Sequence, residues 1–207
     1  HSRLLILLSA FLLAAGIACP AVQETSSHIL FRGEGPDTIP YRIPAITMLS
    51  DGSLLALADY RHCRSDIGWG RVDIHARASY DNGASWTAEY PLLEGSGISK
   101  AVDCGFGDAA LVADRESGDI LLMLVCGQTV YWHQTTNRQN PNRIAVLRSS
   151  DNGATWTPWE EVTEDIYTLF DGSVHGCTES CFVGSGKICQ SRQVKVGDYY
   201  RIYAAVL

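Results

Sequence analysis

The chain has 207 residues, 46% of them hydrophobic, with 16 Lys and Arg against 23 Asp and Glu and a formal net charge of −7. That length can bury the core of one domain or of one and a half. The acidic balance, with no block of Lys or Arg, excludes a nucleic-acid binder that works through a basic face, so an anionic substrate would have to be met by a few focused arginines.

The first residues, HSRLLILLSAFLLAAGIAC, join a short basic start to an apolar run from Leu4 to Ala18. The run is short for a membrane span and ends in small residues, as a secretory signal does. Residues 1–21 therefore read as a signal peptide cleaved near Ala18 or Ala21, with Cys19 as an alternative lipid-anchor site. The mature protein is expected to be secreted or periplasmic, or lipid-anchored at the cell surface, with no membrane span. The chain starts with His1 rather than Met and stops inside the alternating run YYRIYAAVL, so it reads as a piece open at both ends.

From residue 28 to 207 the texture is uniform and all-β. Three stretches each predict strand, turn, strand: AITMLSDGSLLALADYR, AALVADRESGDILLMLVCG and KICQSRQVKVGDYYRIYAAV. After the first two come nearly identical phrases, SYDNGASWT (Ser79 to Thr87) and SSDNGATWT (Ser149 to Thr157). The repeating unit is thus about four strands, the signature of a β-propeller blade. Within each phrase an Asp precedes Asn-Gly, a strong hairpin-turn dipeptide. Asp81 or Asp151 can accept hydrogen bonds from turn amides, and Trp86 or Trp156 can cover the turn. These duties are structural, and catalytic sites seldom recur once per blade.

Six cysteines follow Cys19: Cys63, Cys104, Cys126, Cys177, Cys181 and Cys189. His175, Cys177, Cys181 and Cys189 lie close in sequence, but their spacing matches no common zinc pattern. Export favours disulfides or buried thiols, with the pairing open. GSGK at Gly184 to Lys187 lacks the length and the Ser/Thr of a phosphate-binding P-loop.

Both repeated phrases fit S-x-D-x-G-x-x-W, the Asp box of sialidases and related propellers. YRIPAI (Tyr41 to Ile46) is similar to the F/Y-R-I-P motif that opens the first sialidase blade. ADYRHCRSDIG then places Arg61 five residues before Asp66, and a strand and an Asp box follow. From residue 28 onward the chain resembles bacterial exo-α-sialidases, those of Bacteroides-like gut bacteria above all. The resemblance implies a six-bladed sialidase-type β-propeller, of which the first two blades and part of a third are present. It implies hydrolysis of terminal sialic acid from glycoproteins, glycolipids or oligosaccharides by a retaining mechanism, with no metal or organic cofactor and no nucleic-acid partner.

Sialic acid carries a carboxylate on its anomeric carbon, which a planar guanidinium can hold by two parallel charge-assisted bonds. By resemblance, Arg42 is the first of three arginines that do so, and Arg61 is the active-site arginine near O4 and the carboxylate. Asp66 matches the acid/base that protonates the leaving oxygen and then activates water. Asp108 matches an Asp near the N-acyl group and O4, or else caps a turn. Tyr131 and Trp132 either wall the acyl pocket or simply pack. The family nucleophile, a Tyr activated by a Glu, lies in later blades, as do the two remaining arginines. Tyr199, Tyr200, Tyr203 and Arg201 read as strand residues and Glu179 as part of a Cys-rich loop, so the piece alone is expected to be inactive. The alternatives are a non-catalytic Asp-box propeller that binds glycans or proteins, and an enzyme of the same architecture that transfers sialic acid or releases an anhydro product.

Overall fold

The computed structural model describes residues 27–33, 35, 37–131, 133–174 and 179–207. The proposed signal peptide and Cys19, together with Trp132, His175 and Cys177, lie outside the described residues.

Four antiparallel strands form the first sheet in chain order: β1 (Tyr41–Met48), β2 (Leu54–Tyr60), β3 (Asp73–Ser79) and β4 (Tyr90–Leu93). A second meander repeats it with β5 (Phe106–Ala113), β6 (Ile120–Cys126), β7 (Arg143–Ser149) and β8 (Glu160–Glu161). A six-residue helix, α1 (Thr163–Thr168), follows; its residues are too few to show a helical period in sequence. The short β9 (Gly186–Lys187) then joins the second sheet parallel to β5. The hairpin of β10 (Cys189–Val196) and β11 (Tyr199–Tyr203) begins a third unit, placing Tyr199, Tyr200, Arg201 and Tyr203 in a strand as expected. The fold is two blades and the start of a third blade of a β-propeller.

Burial explains the strand composition. Leu55, Leu57, Ile74 and Ala76 from the first sheet meet Phe106, Leu111, Ile120, Leu122, Leu124 and Leu147 from the second. The other face of the second sheet buries Val112, Val125, Ile144 and Val146 against Tyr167 of α1 and against Val183 and Ile188. With both faces covered, β6 is a continuous apolar run, ILLMLVC, rather than an alternating one. Each fully buried Leu or Ile contributes about 1.5–3 kcal/mol, so these strands hold the blades together. Among the described residues, Cys63, Cys104, Cys126, Cys181 and Cys189 are free thiols.

The repeated phrases form the turns between β3 and β4 and between β7 and β8. In the first, the Ser85 N–H and Oγ donate to Asp81 at 2.8 and 2.5 Å, Ser79 Oγ donates to it at 2.9 Å, and Trp86 Nε1 donates to the Gly83 carbonyl at 3.2 Å. The second repeats each bond with Ser149, Asp151, Gly153, Thr155 and Trp156. Asn82 and Gly83 both take positive φ (58° and 88°), as Asn152 and Gly153 do (55° and 81°), a conformation that Asn and Gly tolerate best.

Candidate functional site

The opposite end of the strands gathers the charged residues. Tyr60 pairs with Asp73 there, whereas Leu54 pairs with Ser79 at the Asp-box end. The start of β1, the end of β2 and the start of β5 therefore share one edge of the molecule.

The first strand of each blade, β1 and β5, carries a bulge at the same place. In β1 the register shifts between Arg42 and Ala45, with Ile43 at φ 51°; in β5 it shifts between Gly107 and Ala110, with Asp108 at φ 57°. A left-handed non-glycine residue costs about 1–2 kcal/mol, and a bulge that re-aims side chains is common beside active sites. In the first blade it places exposed Arg42 opposite Asp59. Among the described residues no carboxylate lies within ion-pair distance of Arg42. Its guanidinium is available to a ligand.

Arg61 is held differently. It is 3% exposed and lies between two carboxylates, with Nη2 at 2.9 Å from Asp59 Oδ2 and 2.9 Å from Asp66 Oδ1. Its Nε reaches the same Asp59 oxygen at 3.2 Å, and Nη1 donates to the Ser65 carbonyl at 3.0 Å. Asp66 sits in the loop after β2 with its side chain 53% exposed. Arg64, the other arginine near Asp66 in sequence, instead donates to the Asp37 carbonyl at 2.9 Å. The structure thus brings Arg61, rather than Arg64, onto Asp66.

Asp59 and Asp108 complete the cluster. The Asp108 N–H donates to Asp59 Oδ1 at 3.0 Å, and a Cβ on Gly107 would come within 3.1 Å of Asp59 Oδ2, so glycine leaves room for that carboxylate. Burial, with the charge of Asp108 second, pushes the Asp59 carboxyl up to about 7, against the pull of Arg61. Burial and the charge of Asp66 push Asp108 up to about 6. Asp108 Oδ2 is buried without a hydrogen-bond partner. Sequence reasoning missed Asp59; the only signal was a charged residue in the otherwise apolar strand LLALADY.

Of the expected residues, Arg61, Asp66 and Asp108 come together, and Arg42 stands at the same edge. Tyr131 packs its ring on Phe182, 5.2 Å between centroids. Glu179 accepts the Arg138 N–H at 2.9 Å. The arrangement offers one available cation, one buried and neutralised cation, a half-exposed carboxylate and two carboxyls held above their usual range. That set can bind a carboxylate and move a proton beside it.

No family model matches the chain. Among curated proteins it is 26% identical over 154 residues to a sialidase of Bacteroides fragilis, covering 68% of this chain and 28% of that protein. It is 34% identical over 131 residues to a sialidase of Micromonospora viridifaciens, covering 61% of this chain and 20% of that protein. Among solved structures, the NanB sialidase of Streptococcus pneumoniae superposes with a TM-score of 0.59 over 86% of this chain and 46% of that one, at 12% identity. The chain therefore spans less than a third of these two curated relatives and under half of the solved structure.

Proposed function

From the premise that the chain is a relative of the bacterial sialidases, we propose that it supplies the carboxylate-binding and acid/base part of an exo-α-sialidase site. The substrate is a glycan ending in sialic acid, on a glycoprotein, glycolipid or oligosaccharide. Residues 28–207 are the first part of the propeller, and residues 1–21 export it. The reading is carried by one observation: available Arg42 and half-exposed Asp66 stand at one edge, with Arg42 across the strand pair from Asp59 and Asp66 paired with Arg61.

Arg42 holds the sugar carboxylate through a charge-assisted pair. Arg61, buried between Asp59 and Asp66, holds the Asp66 carboxylate in place beside the sugar's carboxylate and O4. Asp66 gives its proton to the glycosidic oxygen as the bond to the anomeric carbon breaks, then takes one from the attacking water. Bound sugar covers Asp66 and excludes bulk water from the reacting oxygen. Asp108 is assigned to the acyl N–H and O4 side of the sugar. In a retaining mechanism a tyrosine attacks the anomeric carbon, since a neutral phenol is not repelled by the sugar's carboxylate as an anion would be. None of the described tyrosines is assigned that role.

Titration of this chain with methyl α-sialoside tests the reading. Binding should weaken at least about tenfold in Arg42→Ala, the loss expected for a charge-assisted pair, and remain unchanged in Arg64→Ala. Equal affinities in wild type and Arg42→Ala would rule the assignment out.

A further inference from the structure

Arg42 stands at a weak point of its strand. It is the second residue of β1, and the register on β2 breaks directly after it. Pro44, inside the bulge, has no N–H for the ladder. The backbone around Arg42 is tied by the pairs of Tyr41 with Tyr60 and of Arg42 with Asp59, and by the Arg61 N–H on the Pro40 carbonyl at 3.1 Å. All of these ties run to β2 or to the residue after it.

The Tyr41 side chain reaches across the rest of the blade. Its ring centroid lies 5.3 Å from that of Phe31 and 5.0 Å from that of Tyr60, and Tyr60 in turn stacks on His75 of β3 at 4.2 Å. The Tyr41 hydroxyl donates to Oε1 of Glu89, one residue before β4, and His75 Nδ1 meets the same oxygen at 2.7 Å. An ionised carboxylate only accepts, so both groups donate to it and Nδ1 carries the proton. Burial works against the ionised form of Glu89, but the bonds from Tyr41 and then His75 outweigh it and hold the carboxyl below its usual range. Through one phenol the start of β1 is thus joined to β2, to β3 and to the residue that leads into β4.

We propose that Tyr41, Glu89 and His75 are positioning residues, which fix the start of β1 so that Arg42 is already in place for the carboxylate of the bound sugar. This rests on the sialidase reading of Arg42. A guanidinium that the ligand itself must order binds more weakly than one whose backbone is fixed beforehand. The sign of the effect separates positioning from charge. Glu89 is an anion on the same blade as Arg42, so its plain electrostatic action on an anionic sugar is repulsive. Removing it would tighten binding if charge were its whole contribution, whereas loss of the clamp weakens binding.

The test is a double-mutant cycle on this chain, read by NMR titration with methyl α-sialoside. Glu89→Ala should weaken binding about fivefold. Tyr41→Phe, which keeps the ring and its packing, should do the same and serves if Glu89→Ala does not fold. Glu89→Gln keeps an oxygen for the phenol and should restore most of the lost affinity. In an Arg42→Ala background, Glu89→Ala should make no further difference, because the clamp acts through Arg42. Affinity in both Glu89→Ala and Tyr41→Phe equal to or above that of the wild type would overturn the positioning role. So would a fivefold loss that persists in the Arg42→Ala background, since the effect would then not pass through the arginine. Either result leaves the sialidase reading standing as long as Arg42→Ala by itself weakens binding. A wild type that does not bind the sialoside, or binds it as Arg42→Ala does, would overturn that reading and the clamp with it.

Discussion

Asp59 shows how much of this site is decided by one buried side chain. It is fully buried, takes two bonds from Arg61 and accepts the Asp108 N–H. An unfolded Asp titrates near 3.9, and burial lifts Asp59 to about 7. Between about 4 and 7 the folded chain therefore holds a proton that the unfolded chain has released, so stability falls as pH rises through that window and levels off above it. Asp108, lifted to about 6, acts with the same sign. Urea unfolding across a pH series should give a higher midpoint at pH 5 than at pH 8. Asp59→Asn should remove most of the difference and leave the smaller share of Asp108. A wild-type midpoint that is flat or rises toward pH 8 would contradict this account. Arg42 and Asp66 were legible from motif spacing. Asp59 was not, because alternation along β2 says which face a residue is on but not that its face meets Arg61 and the backbone of β5.

At the scale of elements, the two Asp boxes and the two bulges mark opposite ends of each blade, and they were not equally legible. The boxes announce themselves, because Asp, Asn and Gly are needed for the turn itself and so recur in the sequence. The bulges do not: the left-handed position holds Ile43 in one strand and Asp108 in the other, and nothing in their residue types signals a shared geometry. Strands of seven residues at about 3.3 Å each set the boxes about 20 Å from the charged edge. Asp81 is drawn down to about 2 by the Ser85 hydroxyl first, then the Ser85 amide and the Ser79 hydroxyl. The second box also ties the blades together, with Ser50 Oγ donating to Asn152 Oδ1 at 2.9 Å. Asp81→Ala and Asp151→Ala should each lower the thermal midpoint while leaving sialoside affinity at the wild-type value. A loss of affinity as large as that of Arg42→Ala, without loss of stability, would place the boxes in the site after all.

For the whole molecule, the repeat gave away the architecture: two copies of one turn, each after a strand–turn–strand run, are enough to read blades. The parallel β9 and the short α1 escaped because two and six residues carry no period. What the repeat also implies is a surface problem. Among the described residues the second sheet is covered on both faces, whereas the first packs on the side toward β5 and its other face is covered in part by Phe31. Its other face carries Tyr41, Tyr60 and His75, with Tyr60 stacked on His75 at 4.2 Å and the Tyr41 hydroxyl donating to Glu89. Beside them runs a mostly apolar groove of about 430 Å³, bordered by Phe31, Pro44, Ile46 and Ala56. Ile46 and Met48 are 51% and 65% exposed there, and the β10–β11 hairpin exposes Val196, Tyr199 and Tyr203. Open strand edges and apolar faces of this kind favour pairing between chains. The 207-residue chain should therefore associate as its concentration rises, seen as a growing mass in sedimentation or light scattering. The double substitution Ile46→Lys with Met48→Lys places two cations on that face, and it should shift association to higher concentration without moving the thermal midpoint much, since both residues are exposed. If the wild-type chain stays monomeric over the range in which it can be titrated, the face of β1 is not adhesive. If the double variant associates as readily as wild type, the contact runs through the β10–β11 hairpin instead.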